Sequence, residues 1–237
     1  MKITVIIVAG GKGTRMQADK PKQYLELYDK PILMETIANV SRQLRNDDRI
    51  IVVVPREDEP FVRKLIRNIF VQRSHFPLVE VTGGGDTRAE SVLEGLNATD
   101  PETEIIAVHD GVRPFVNASL FRRLMGAVKD GHGSVLPALP SDDSIRLKVG
   151  NDFKAIPRET VFRVQTPQVF DAALLRHAYR LYAETPDTTL TDDASIVSAL
   201  TGEAPYVVEG LKENLKITNP VDLALAKIIA ETFDATK

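Results

Sequence analysis

The chain has 237 residues, 43% of them hydrophobic and 27% charged, an ordinary composition for a globular protein long enough to bury a sizeable core. A formal net charge of −3, no tryptophan and no basic tail argue against a nucleic-acid surface, and the lack of cysteine excludes disulfides, thiolate catalysis and cysteine-type zinc sites. The opening apolar run is too short for a signal sequence or a membrane span, so a cytoplasmic protein is the default expectation.

That run, Ile3-Thr4-Val5-Ile6-Ile7-Val8, is β-branched and free of charge, and it reads as a buried parallel strand. It ends in Ala9-Gly10-Gly11-Lys12-Gly13-Thr14-Arg15-Met16. Three glycines in four residues remove side chains that would hold a ligand off the backbone and leave N–H groups free to meet an anion. Two known loops fail on spacing. A P-loop needs Gly-Lys-Ser/Thr after four intervening residues, and here Lys12 precedes Gly13. The dinucleotide fingerprint would place its third glycine on Met16. What remains is a phosphate cradle with Lys12, Arg15, Lys20 and Lys22 set against Asp19 alone.

Strands and helices then alternate. Asp29-Lys30-Pro31 opens a helix with Ile32, Leu33, Ile37, Val40 and Leu44 on one face. Arg49-Ile50-Ile51-Val52-Val53-Val54 is a strand, Glu59-Pro60 starts a helix, and Leu78-Val79-Glu80-Val81 is a third strand. The alternation predicts an α/β fold, a Rossmann-like mostly parallel sheet with helices on both faces. A second glycine loop, Thr82-Gly83-Gly84-Gly85-Asp86-Thr87-Arg88, feeds the next helix. Its flat backbone suits a base, whose edge backbone groups and Ser91 could read; a tight turn with Asp86 as N-cap fits the loop alone equally well.

A fourth strand ends in His109-Asp110-Gly111-Val112-Arg113. Asp110 is placed to support Mg²⁺ beside a triphosphate, while His109 has no partner at ligand spacing and reads as structural. Asn117 caps a further helix. Ser144-Ile145-Arg146-Leu147-Lys148-Val149 and Thr160-Val161-Phe162-Arg163-Val164, joined through Gly150-Asn151-Asp152, suggest a projecting β-hairpin arm at about 141–165. Its bare edges invite a dimer contact. Thr191 is expected to cap the helix that follows it, Asn214-Leu215-Lys216-Ile217-Thr218 to form a short strand, and Asn219-Pro220-Val221-Asp222 to open the terminal helix. The chain reads as one domain, 1–237, without repeats or linkers.

Ala9 to Met16 with Pro21-Lys22-Gln23 resembles the nucleotidyltransferases that share the nucleotide-diphospho-sugar transferase fold. Val108-His109-Asp110-Gly111-Val112-Arg113-Pro114, Gln165-Thr166-Pro167-Gln168, Thr191-Asp192-Asp193-Ala194-Ser195 and Glu213-Asn214-Leu215-Lys216-Ile217-Thr218 are similar to those of the 2-C-methyl-D-erythritol 4-phosphate cytidylyltransferase family. The resemblance implies a homodimer that uses CTP, Mg²⁺ and a polyol phosphate to form 4-diphosphocytidyl-2-C-methyl-D-erythritol and pyrophosphate. It implies that Arg15 and Lys22 stabilise the α-phosphate, that Lys12 aids triphosphate affinity, and that Ala9, Gly10, Gly11, Gly85 and Ser91 hold cytosine and ribose. Asp110 would serve the metal or the acceptor. Arg113, Ser144, Thr166, Thr191 and Lys216 would bind the acceptor, and Arg158 would arrive from the arm of a partner; Ser144 stands where the family has threonine. Ribitol 5-phosphate cytidylyltransferases share the first loop and the Gln-Thr-Pro-Gln motif and differ in acceptor. A nucleotide-binding regulator without turnover is the reading from another class, opposed by the presence of Arg15, Lys22 and Lys216.

Overall fold

A computed structural model describes residues 1–11, 13–16, 18–70 and 77–236. Their central sheet runs β10-β7-β11-β6-β1-β4-β5, with β12 on the outer side of β7. The parallel half is β1 (Ile3–Val8), β4 (Arg49–Val54), β5 (Leu78–Gly83) and β6 (Ile105–Asp110). The other half is β7 (Ser134–Pro140), β10 (Phe162–Val164), β11 (Gln168–Asp171) and β12 (Tyr206–Glu209). There β11 runs antiparallel to both β6 and β7, and β12 runs parallel to β7.

Strand periodicity divides the core. Val5, Ile7, Ile50, Val52 and Ala107 face one side, where α1 (Ile32–Ser41), α2 (Glu59–Phe70) and α4 (Ala118–Lys129) pack. Ile6, Ile51, Val53, Ile106 and Val108 face the other, covered by α3 (Arg88–Asn97), α5 (Ala172–Glu184) and α6 (Asp193–Thr201). Both faces are therefore dry, which is why β1 and β4 carry no alternation of polarity. A smaller cluster, Met16, Leu27, Ile32, Val112, Phe115, Ile217 and Ala226, seats α7 (Pro220–Thr232) and the short hairpin of β2 (Glu26–Leu27) and β3 (Lys30–Pro31) beside the first loop. Among the described residues no helix is long and apolar enough to cross a membrane.

Four expectations are corrected. The arm is β8 (Ile145–Val149) paired with β9 (Asp152–Ile156) across Gly150-Asn151, with Gly150 at φ 62°. The segment read as its second strand, Thr160 to Val164, instead places Phe162–Val164 against Pro140 to Ala138 in the main sheet. The cap of α6 is Asp192, which closes a capping box with Ser195, so Thr191 stays exposed outside the helix; Thr87, not Asp86, caps α3. Asn214 to Thr218 joins no strand. Asn117 and Asn219 cap α4 and α7 as the sequence suggests.

The helix that follows the second glycine loop lies close on the sheet. A Cβ on Gly95 of α3 would stand 2.6 Å from Ile6 Cγ2 and 3.1 Å from Val53 Cγ2. Gly95→Ala should therefore cost about 1–3 kcal/mol by overpacking. A thermal melt should show a fall of several degrees; an unchanged midpoint would mean that α3 is free to lift off the sheet.

Candidate active site

The carboxyl ends of β1, β4, β5 and β6 open into one cleft of about 1020 Å³, bordered by Ala9 to Gly11, Pro21 to Gln23, Pro55 to Asp58, Gly84 to Arg88, Ser91, Asp110 and Lys216. Parallel sheets expose their ligand sites at this end. The loops are pinned to the sheet by backbone bonds: Ala9 N–H to Val53 O at 2.7 Å, Gly84 N–H to Val54 O at 2.7 Å and Gly111 N–H to Val8 O at 2.8 Å. Gly13, at φ 65°, lies so close to the Lys22 backbone that a Cβ would stand 3.0 Å from its nitrogen, which locks the first loop to the lysine turn. On the far wall, the Tyr24 hydroxyl donates to Asp58 Oδ2 at 2.7 Å.

The floor of the cleft is Asp110, 6% exposed. Its Oδ2 accepts from Arg113 Nε at 3.0 Å and lies 3.1 Å from Lys216 Nζ; Arg88 Nε is 3.7 Å from Oδ1. Burial alone would raise the Asp110 pKa, but Lys216 foremost, then Arg88 and Arg113, outweigh it and hold the carboxyl well below the usual range. Lys22 is shifted the other way. Burial lowers its pKa, the charge of Lys216 lowers it further, and Arg15 acts in the same direction against the pull of Asp110. The cleft thus holds like charges in tension, a state that an incoming polyanion relieves.

The motifs clamp this floor from behind. The Gln165 amide donates to Leu211 O and accepts from Leu211 N–H, Asn214 Nδ2 donates to Thr166 O, and Arg113 donates to Asn214 O. These side-chain bonds, with the single backbone bond from Ile217 N–H to Val112 O at 3.0 Å, hold the extended segment that carries Lys216. The Thr166 hydroxyl accepts from the Asp110 N–H at 3.0 Å and donates to His109 Nδ1 at 2.9 Å. His109 Nε2 lies 2.9 Å from the Arg113 carbonyl, which can only accept, so Nε2 carries the proton and Nδ1 is the acceptor. Complete burial lowers the His109 pKa to about 4, so a neutral ring braces the loop, the structural role read from the sequence.

Ala9, Gly10, Gly11, Lys22, Gly85, Ser91, Asp110 and Lys216 meet in the cleft as the sequence suggests. Arg113 and Thr166 sit behind Asp110 and do not border the cleft: Arg113 donates through Nε to Asp110 and through Nη1 to Asn214 O, and the Thr166 hydroxyl lies between Asp110 N–H and His109. Arg15 is exposed and does not border the cleft, and its charge is felt at Lys22. Ser144, Arg158 and Thr191 are exposed and do not border this cleft; Arg158 donates to the Asp142 carbonyl at the base of the arm. Lys12 lies outside the described residues. Sequence reasoning missed Arg88 and Asp193, which pair beside Asp110, the aspartate fully buried and the arginine partly so. The available signal was an arginine in the first turn of a helix, where the dipole disfavours it.

Residues 3–232 match the IspD family, 2-C-methyl-D-erythritol 4-phosphate cytidylyltransferase. The chain is 38% identical over 229 residues to the protein of that name from Bacteroides thetaiotaomicron, covering 97% of this chain and 100% of the relative, and 39% identical to the one from Bacteroides fragilis, covering 95% and 98%. Among solved structures it resembles the 4-diphosphocytidyl-2C-methyl-D-erythritol synthase of Anaerococcus prevotii, with a TM-score of 0.82 at 29% identity over 97% of this chain and 98% of that one. It also resembles the 2-C-methyl-D-erythritol 4-phosphate cytidylyltransferase of Thermus thermophilus, with a TM-score of 0.75 at 30% identity over 96% and 98%. A shared architecture, carried through nearly the whole length by family-level sequence identity, makes this chain a member of the 2-C-methyl-D-erythritol 4-phosphate cytidylyltransferase family.

Proposed function

We propose that the cleft transfers a cytidylyl group from CTP to 2-C-methyl-D-erythritol 4-phosphate, releasing pyrophosphate. The observation that carries this reading is the placing of two cations, Lys22 and Lys216, between two glycine loops above Asp110; burial first, and then the charge of Lys216, lowers the Lys22 pKa. Cytosine and ribose lie along the backbone of Ala9 to Gly11 and Gly85, with Ser91 beneath. An oxygen of the acceptor phosphate attacks the α-phosphorus; the bond from α-phosphorus to the bridging oxygen breaks, and pyrophosphate leaves with the electron pair. The nucleophile is a phosphate monoester, largely dianionic near neutral pH, so no base has to remove a proton. Catalysis then consists of positioning and charge neutralisation, supplied by Lys22 and Lys216 and, on the strength of the family resemblance, by Arg15.

Among the described residues no three metal-binding side chains gather. Magnesium is commonly held by one or two carboxylates together with substrate phosphates and water. Asp110 fits that pattern: its Oδ2 is engaged by Arg113 and Lys216, while Arg88 Nε stays 3.7 Å from Oδ1. We therefore take Mg²⁺ as the cofactor, brought in on the triphosphate and held to the chain through Asp110; bound there, it would draw charge from the phosphate oxygens. A soluble cytoplasmic setting suits such substrates.

The arm supports a homodimer. Leu147, Val149 and Phe153 are 52%, 45% and 63% exposed on a two-stranded hairpin, a structure only marginally stable by itself. We place Arg158 and Ser144 at the partner's cleft on this account. Phe153→Asp should convert a dimer into a monomer in light scattering; a variant that keeps the wild-type mass would remove the arm from the interface.

Pyrophosphate release with CTP and each of two acceptors, methylerythritol phosphate and ribitol 5-phosphate, tests the whole reading. Turnover with the first and not the second is expected. The reverse would assign the chain to ribitol phosphate, and silence with both would leave a nucleotide-binding regulator.

A further inference from the structure

Arg88 opens α3, where the helix dipole opposes a cation, so nothing local favours an arginine there. It is held instead from α6. Its Nη1 and Nη2 donate to Asp193 Oδ1 and Oδ2 at 3.0 and 2.7 Å, and Asp193, 0% exposed, takes a third bond from the Tyr179 hydroxyl at 2.6 Å. With the fork committed, Arg88 presents its Nε edge to Asp110 Oδ1 at 3.7 Å, beyond hydrogen-bond range. The other oxygen, Oδ2, meets Arg113 and Lys216 at 3.0 and 3.1 Å. Among the described residues, the floor carboxylate thus has one oxygen held by two cations and one that sits in a positive field with no hydrogen-bond donor on it.

We propose that Arg88, clamped by Asp193, is a positioning residue for the transfer: it helps orient the Asp110 carboxylate while leaving Oδ1 open to the ligand. The arrangement serves any electron-poor partner, whether an acceptor hydroxyl or a triphosphate-bound metal. This rests on the cytidylyltransferase reading of the cleft. An ion pair that only stabilised the fold would have no reason to stop short of hydrogen-bond contact with Asp110. Release of the clamp should let the guanidinium close that gap.

Asp193→Asn keeps the side chain's size and can still accept from Tyr179, but its amide offers the fork one oxygen instead of two. A crystal structure of this variant should show an Arg88 nitrogen about 3 Å from Asp110 Oδ1. An unmoved Arg88 overturns the proposal. That readout needs no turnover, so it is distinct from failure of the reaction itself, which would appear as an unaltered enzyme that releases no pyrophosphate. In the active enzyme, Asp193→Asn should lower kcat/KM for the acceptor by about 10- to 100-fold, the usual effect of losing an outer partner of a functional group. A raised acceptor KM at unchanged magnesium dependence identifies the hydroxyl as the partner of Oδ1. A shift to higher magnesium in calorimetric CTP binding identifies the metal. Tyr179→Phe removes the third bond but spares the fork, so it should melt lower and keep its acceptor KM; a loss equal to that of Asp193→Asn would make the clamp merely structural and overturn the proposal. Should Asp193→Asn not fold, Arg88→Lys, which cannot form the fork, must show the acceptor defect, and wild-type kcat/KM in it overturns the proposal.

Discussion

Replacing Lys22 by alanine is expected to lower kcat by about 100- to 1000-fold, the range seen when one donor to a developing oxyanion is removed. The size follows from its setting. Lys22 is half-buried at the mouth of the first loop, its pKa already lowered by burial and by Lys216, so its charge costs free energy in the empty cleft and is compensated only when phosphate arrives. Single-turnover measurements with CTP and methylerythritol phosphate should place the loss in the chemical step, with CTP affinity falling far less, because the glycine-loop backbone and Ser91 remain. A loss confined to KM would mean that Lys22 binds ground-state triphosphate and does no more. The same argument gives a second sign. A lysine whose folded pKa is lowered opposes folding at every pH below that value, and the opposition fades as pH rises through it toward the unfolded pKa. Lys22→Met should therefore melt higher than the unaltered protein near neutral pH while being nearly inactive.

What the sequence makes legible is what acts over short range. The first strand, the two glycine loops and the caps Asn117 and Asn219 are each set by residues within one turn of one another, and they stand where the sequence places them. Pairing over long range is harder. Phe162 lies opposite Pro140 in the main sheet, a register that no local pattern announces, whereas Gly150-Asn151 fixes the partner of β8 at Asp152 and was the better guide to the arm. The antiparallel entry of β11 between β6 and β7 has no signature in its four residues. In the site, glycines and lysines are legible because their chemistry is unusual for a loop. Arg88 and Asp193 are not, since a charged residue in a first helical turn resembles any solvated end, and only the fold brings α3 and α6 together. Thr166 and Arg113 stand in their motifs one layer behind Asp110, a placement that the fold sets and sequence does not encode.

Asp110→Asn should be the most destructive single change for the fold and the reaction together. The carboxylate is the counter-charge shared by Arg113, Lys216 and, at 3.7 Å, Arg88, and it lies almost wholly out of water. An asparagine keeps the shape but leaves those cations uncompensated, and breaking a buried pair in this way costs about 3–5 kcal/mol. In a chain of this length that is a fall on the order of 10 °C in melting temperature. Turnover should drop by at least about 100-fold as Lys216 loses its anchor and the ligand loses Oδ1. The pH dependence separates charge from shape. The Asp110 pKa lies well below its ordinary 3.8, so the stability it contributes is fully present above about pH 4 and is lost as pH falls below that value toward the folded pKa. The gap in melting temperature between the unaltered protein and Asp110→Asn should stay constant from about pH 8 to pH 5 and narrow under pH 4 as the wild-type carboxyl takes up its proton. A gap that persists unchanged into strong acid would mean that the cations are held by packing, and that the negative charge at the cleft floor does not organise them.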